Sequence, residues 1–121
     1  MLNTLENRIK YLATISEKIQ TLDWHDDINL FVFGSFITNN FKLGESDIDI
    51  AIYSKNVIDY LDILELLQDE FATINLDSDI FRVYENVPSA VYYAALNSPI
   101  QFTDYFPENL VRFKQKCFEC M

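Results

Sequence analysis

Two short segments carry residues whose types and spacing could do chemistry. Gly34-Ser35 ends a run of strand-forming residues, and Asp47-Ile48-Asp49 opens another. Side chains alternate along a strand, so Ile48, Ile50 and Ile52 face one way and Asp47 and Asp49 the other, roughly 7 Å apart. At an effective dielectric near 20, two full charges at that separation repel by about 2 kcal/mol. A hard divalent cation held by carboxylate oxygens offsets such repulsion. A Gly lets backbone approach a phosphate closely, and a helical turn starting there aims free N–H groups at the anion. Ser35 adds a hydroxyl donor. A third acid follows on a later segment, where strand parity puts Asp77 and Asp79 on one face and Ile80 on the other. Carboxylates beside a phosphate-cradling turn suit phosphoryl or nucleotidyl transfer, with Mg2+ neutralising the phosphates and activating an acceptor hydroxyl.

The elements that must position these residues follow from hydrophobic period. Leu2, Leu5, Ile9, Leu12, Ile15, Ile19 and Leu22 recur at three- and four-residue steps and predict a helix over about 2–22. Residues 23–27, with the one histidine, His25, read as a loop. Ile28 to Phe33 is apolar and rich in strand formers, which predicts a buried strand delivering Gly34-Ser35. Phe36 to Phe41 reads as a helical turn or compact loop, and Asn39 and Asn40 tolerate left-handed backbone in a tight turn. Gly44 marks a second turn before the Asp47–Tyr53 strand. Ile58, Leu61, Leu64 or Ile63, Leu67 and Phe71 predict a helix over about 56–73. A third strand is expected over 74–84, a short helix over 89–96, and a short edge strand over 100–105. Pro107 suits the start of a last helix with Leu110, Val111, Phe113 and Phe118 as its apolar residues.

Composition narrows the function classes. A chain of 121 residues, half of them hydrophobic, predicts one domain spanning 1–121 rather than disorder. No run of about 18 apolar residues exists, so no membrane-spanning helix is expected. Met1 to Glu6 lacks the basic-then-apolar pattern of a signal peptide, which points to a cytoplasmic protein. A net charge of −10 disfavours direct nucleic-acid binding, because phosphate contacts need Lys and Arg clusters. It suits a basic protein partner, a metal-bridged anionic substrate, or simply a soluble acidic surface. Cys117 and Cys120 supply two ligands where a structural zinc site needs four, so they read as ordinary thiols, or as half of a site shared across a dimer.

Gly34-Ser35, eleven intervening residues, then Asp47-Ile48-Asp49 resembles the GS…DxD signature of the polymerase-β nucleotidyltransferase superfamily. The short chain is similar to its minimal nucleotidyltransferases, the MNT proteins. The resemblance covers roughly residues 28–105. It implies an α/β (α+β) fold, a small mixed sheet with helices packed on one side. It also implies two Mg2+ ions, ATP as substrate, Asp47 and Asp49 as metal ligands, and Gly34 and Ser35 as nucleotide-binding residues. A third carboxylate stands near the acceptor. In the family it begins an apolar strand run, which favours Asp79 over Asp77 as ligand and general base. Many such proteins are antitoxins of HEPN-type toxins. The implied activity is transfer of AMP to a tyrosine of the toxin, a protein adenylyltransferase reaction. Homo- or hetero-oligomers are compatible with it. A non-catalytic antitoxin that neutralises its partner by contact is the alternative. Tyr92, Tyr93 and Tyr105 are candidates for a partner surface or for packing. One departure stands out: where the family commonly has a basic residue and a Gly soon after Gly-Ser, this chain has Thr38-Asn39-Asn40. Asn39 could take the glycine's backbone role, and Lys42 or Arg82 could supply the charge.

Overall fold

The protein is described by a computed structural model covering residues 1–24, 28–98, 100–101 and 108–121. Helix α1 (Leu5–Gln20) leads into β1 (Ile28–Phe33), a 3-10 turn (Gly34–Ile37) and β2 (Ile48–Ser54). Helix α2 (Val57–Ala72), β3 (Ser78–Arg82), α3 (Ala90–Leu96), β4 (Ile100–Gln101) and α4 (Glu108–Phe118) follow. The four strands form one mixed sheet in the order β3-β2-β1-β4. β1 pairs antiparallel with β2 and β4, and β2 pairs parallel with β3. A parallel pair needs a crossover, and α2 provides it.

Three helix starts are written in the sequence as side-chain caps. Thr4 accepts from the Asn7 amide, Asn56 from those of Ile58 and Asp59, and Ser89 from that of Tyr92. Each satisfies donors that a first helical turn leaves free. The first helix therefore begins at Leu5 rather than at residue 2 and stops at Gln20 rather than 22. Leu2 is buried all the same, whereas Leu22 is exposed.

Both faces of the sheet are covered. Leu30, Val32, Ile48, Ile50 and Ile52 pack with Leu12, Ile15 and Ile19 of α1 and Ile63, Leu67 and Phe71 of α2. Phe31, Ala51 and Tyr53 pack with Ala95 and Leu96 of α3 and Leu110, Phe113 and Cys117 of α4. The small mixed α/β fold is the expected class, but helices on one side only is corrected to helices on both. The reason lies in β1: its residues are apolar at both parities, which marks a strand buried on two faces.

Three helical and strand details differ from the sequence reading. On α2, Ile58 and Leu61 are exposed, and the inward stripe runs Asp59, Ile63, Leu67, Phe71. On α4, Val111 and Phe118 are exposed and Cys117 takes the inward position. β3 starts at Ser78, not at Ile74, because residues 73–77 are spent leaving α2 through a turn with Asn75 at φ 52°. Asn75 is the one non-glycine residue at positive φ among those described, so Asn39 and Asn40 turn without left-handed backbone. Cys117 is buried and Cys120 exposed, and both are free of disulfides. His25, Tyr105, Pro107 and residues 102–105 of the expected edge strand lie outside the described residues.

Candidate nucleotidyl-transfer site

The sheet brings the sequence candidates to one end. In the β1–β2 ladder Phe33 pairs with Asp49, so Gly34, the next residue, leaves the sheet beside the Asp49 carboxylate. In the β2–β3 ladder Asp49 pairs with Asp79. Asp47 lies just before β2, two residues from Asp49, and the Ile48 amide donates to the Asp77 carbonyl at 3.0 Å. Asp77 itself precedes β3 and stands out of register with Asp49.

Gly34 is required for a reason that the sequence did not disclose. Its φ is +76°, a conformation that side-chain-bearing residues rarely adopt. A Cβ built there would stand 2.2 Å from Asp49 Oδ2, well inside contact distance. The missing side chain thus makes room for a carboxylate as well as for an approaching ligand.

Electrostatics report the same convergence. Burial, and after it the like charges of Asp47 and Asp79, together push the Asp49 carboxyl up to about 6. No Lys or Arg forms an ion pair with these three acids among the described residues. The folded state holds the Asp49 proton more tightly than the unfolded chain does. Its contribution to stability is therefore complete below the ordinary value of 3.8 and is lost as pH rises through about 6. Above that pH the site stores repulsion among its carboxylates, which a cation would relieve.

Among the described residues no three His, Cys, Asp or Glu side chains are arranged to hold a metal ion by themselves. The donor chemistry still fits a small hard cation. Mg2+ commonly takes one or two carboxylates and completes its shell with water and substrate phosphates. Asp47 and Asp49 could supply that pair, with Asp79 across the ladder. Ser35 is half-buried, and its carbonyl accepts from both the amide and the hydroxyl of Thr38, each at 2.9 Å. Its own hydroxyl has no hydrogen-bond partner among the described residues, so it is available to a ligand.

β3 is an edge strand, and a groove of about 550 Å³ lies along it. Asp79 lines it together with Arg82, Tyr60, Val91 and Tyr92. One candidate acid therefore faces both the acid cluster and an open groove. Tyr92 and Tyr93 are half-buried packing residues. Tyr92 stacks on Phe81 at 5.9 Å, and Tyr93 meets Phe118 at 5.3 Å.

Neither Lys42 nor Arg82 bonds the Gly34–Thr38 turn among the described residues, although Arg82 lines the groove with Asp79. Lys42 is exposed, and Arg82 donates Nε and Nη2 to the Ser54 carbonyl, at the opposite end of β2. The cation that does touch the turn is Arg8, which the sequence reading left unremarked. It is 2% exposed. Its Nε donates to the Phe36 carbonyl at 2.8 Å, and its Nη2 to that of Thr38 at 2.6 Å. The signal was present in the helix phase: Arg8, Leu12, Ile15 and Ile19 share one stripe by three- and four-residue steps.

The family model described as Polymerase beta, Nucleotidyltransferase matches residues 7–105, most of the chain. The protein belongs to this nucleotidyltransferase family. No curated protein and no solved structure matches the chain.

Proposed function

We propose that the protein is a Mg2+-dependent nucleotidyltransferase that moves AMP from ATP to a tyrosine hydroxyl of a HEPN-type toxin, as its antitoxin. Membership of the family supports nucleotidyl transfer. The observation that carries the site assignment is Asp49, set against Gly34, in register with Asp79, and raised to about 6 by burial and by Asp47 and Asp79. Carboxylates that oppose one another this way call for a cation.

In this reading Asp47 and Asp49 hold the ion, and Gly34 and Ser35 meet the phosphates of ATP. When bound, Mg2+ would neutralise the phosphates and stabilise charge on the pyrophosphate leaving group. Asp79, whose groove opens at the sheet edge, takes the proton of the attacking hydroxyl. A bond forms between that oxygen and the α-phosphorus. The bond from the α-phosphorus to the bridging oxygen breaks, and pyrophosphate leaves.

Incubation with ATP, Mg2+ and a HEPN protein encoded beside this gene should add one or more AMP masses to that protein. Asp47→Ala with Asp49→Ala should reduce the transfer to background. A double variant that still modifies the partner would overturn the site assignment. Wild-type protein that binds tightly and modifies nothing would replace this reading with neutralisation by contact.

A further inference from the structure

We infer that Arg8 is the positioning residue of the Gly34–Thr38 turn, and that it supplies from beneath the turn the positive charge that the sequence after Gly34-Ser35 lacks. The inference rests on the nucleotidyl-transfer reading for its ligand, ATP, but its geometry stands without it.

Arg8 is the one fully buried Lys or Arg among the described residues. A buried charge is costly unless dipoles or counter-charges surround it. No carboxylate is paired with Arg8 among the described residues. Its compensation is instead a fan of carbonyl oxygens: Leu2 from Nη1 at 3.0 Å, Phe36 from Nε and Thr38 from Nη2. The rings of Phe41 and Phe36 lie 4.8 and 5.9 Å from the guanidinium carbon and offer their negative faces. Phe36 and Phe41 also pack edge to face on each other at 5.1 Å.

Two of the three carbonyls belong to the turn that starts at Gly34. Carbonyl groups held toward Arg8 fix the peptide planes of that turn, and with them the direction of its amides. The planar fork suits this task, since it reaches several acceptors in fixed geometry, which a Lys ammonium does not. Because no acid among the described residues neutralises it, the guanidinium leaves a positive field under the turn. The described residues thus place a cation solvated by carbonyls but paired with no acid on one side of the turn, and carboxylates paired with no cation on the other. A polyphosphate with its cation would complete both.

The test uses Arg8→Met and Arg8→Lys in the full chain. Native-state amide exchange at Phe36 and Thr38, whose amides are bonded within the turn, should quicken at least tenfold in Arg8→Met, while β2 amides change less than threefold. Uniform change across the molecule, or none, would overturn the clamp. Dissociation constants for Mg2+-ATP and AMP are then compared by calorimetry. Arg8→Met should weaken Mg2+-ATP at least tenfold and AMP less than threefold, because a field effect scales with phosphate charge. Arg8→Lys should recover part of the Mg2+-ATP loss and little of the exchange protection. Equal losses for the two nucleotides, or none, would overturn the field. If Arg8→Met fails to fold, Arg8→Lys carries the exchange test. Sodium chloride dependence of Mg2+-ATP binding, compared between Arg8→Lys and wild type, then carries the field test: parallel dependence is expected, and a flattened one contradicts it. Wild-type protein that does not bind Mg2+-ATP would end the nucleotidyl-transfer reading and the field together, leaving the exchange result to decide the clamp.

Discussion

At the Tyr53–Ser54 end of β2, polar groups close on one another: the Tyr53 hydroxyl bonds Glu85 and accepts from Asn109 at 2.6 Å, and Arg82 donates twice to the Ser54 carbonyl. At the Asp49 end, three carboxylates gather around a turn with no paired cation among the described residues. The strand is the same and its burial is similar, yet one end is settled and the other is frustrated. Frustration of this kind lowers the stability of the free chain, and it is tolerated where a ligand completes the arrangement. The settled end holds the sheet edge and α4 in place; the frustrated end is the candidate site.

Gly34→Ala attacks the frustrated end most severely. It places a side chain at positive φ, which costs on the order of 1–3 kcal/mol. The added carbon also collides with Asp49 Oδ2, so the carboxylate must swing away. Displacement of a positioning group by about 1 Å can cost on the order of 100-fold in rate. AMP transfer measured on protein shown to be folded by circular dichroism should fall by about that factor, and the denaturation midpoint should drop with it. Unchanged transfer would show that Asp49 does not need its place against the turn.

Tyr53→Phe strikes the settled end and should do far less. Loss of the hydroxyl removes two partly buried hydrogen bonds, to Glu85 and from Asn109, each worth about 1 kcal/mol in chemical denaturation. AMP transfer should stay within twofold of wild type. A large loss of transfer would mean that the two ends of β2 are coupled, and the contrast between them would fail.

Much of the frustrated end was legible in the sequence, and for a definite reason. Strand period and a short connection force Gly34-Ser35 and Asp47-Ile48-Asp49 into neighbouring ladders once β1 and β2 pair. Asp79 could be favoured over Asp77 by its place before Ile80-Phe81, and the register sets Asp79 opposite Asp49. What stayed hidden depends on tertiary contacts. Arg8 shares the inward stripe of its helix, but its partners, the carbonyls of Phe36 and Thr38, lie 28 and 30 positions along the chain and are not readable from helix phase. Leu61 reads as core until the phase of α2 is fixed by Ile63, Leu67 and Phe71. The second helical layer, α3 and α4, was missed because a strand buried on both faces gives no alternation with which to choose a side.

The most direct test is a carbon-13 titration of the Asp49 side-chain carboxyl, followed with and without Mg2+ in wild type, Asp47→Asn and Asp79→Asn. In the free wild-type protein the group should titrate near 6, above the ordinary 3.8, and each substitution should lower it. Added Mg2+ should drive it down strongly, since a cation favours the ionised form. An Asp49 that titrates at the ordinary carboxylate value in every variant, and ignores Mg2+, would contradict the convergence of acids on which the whole account rests.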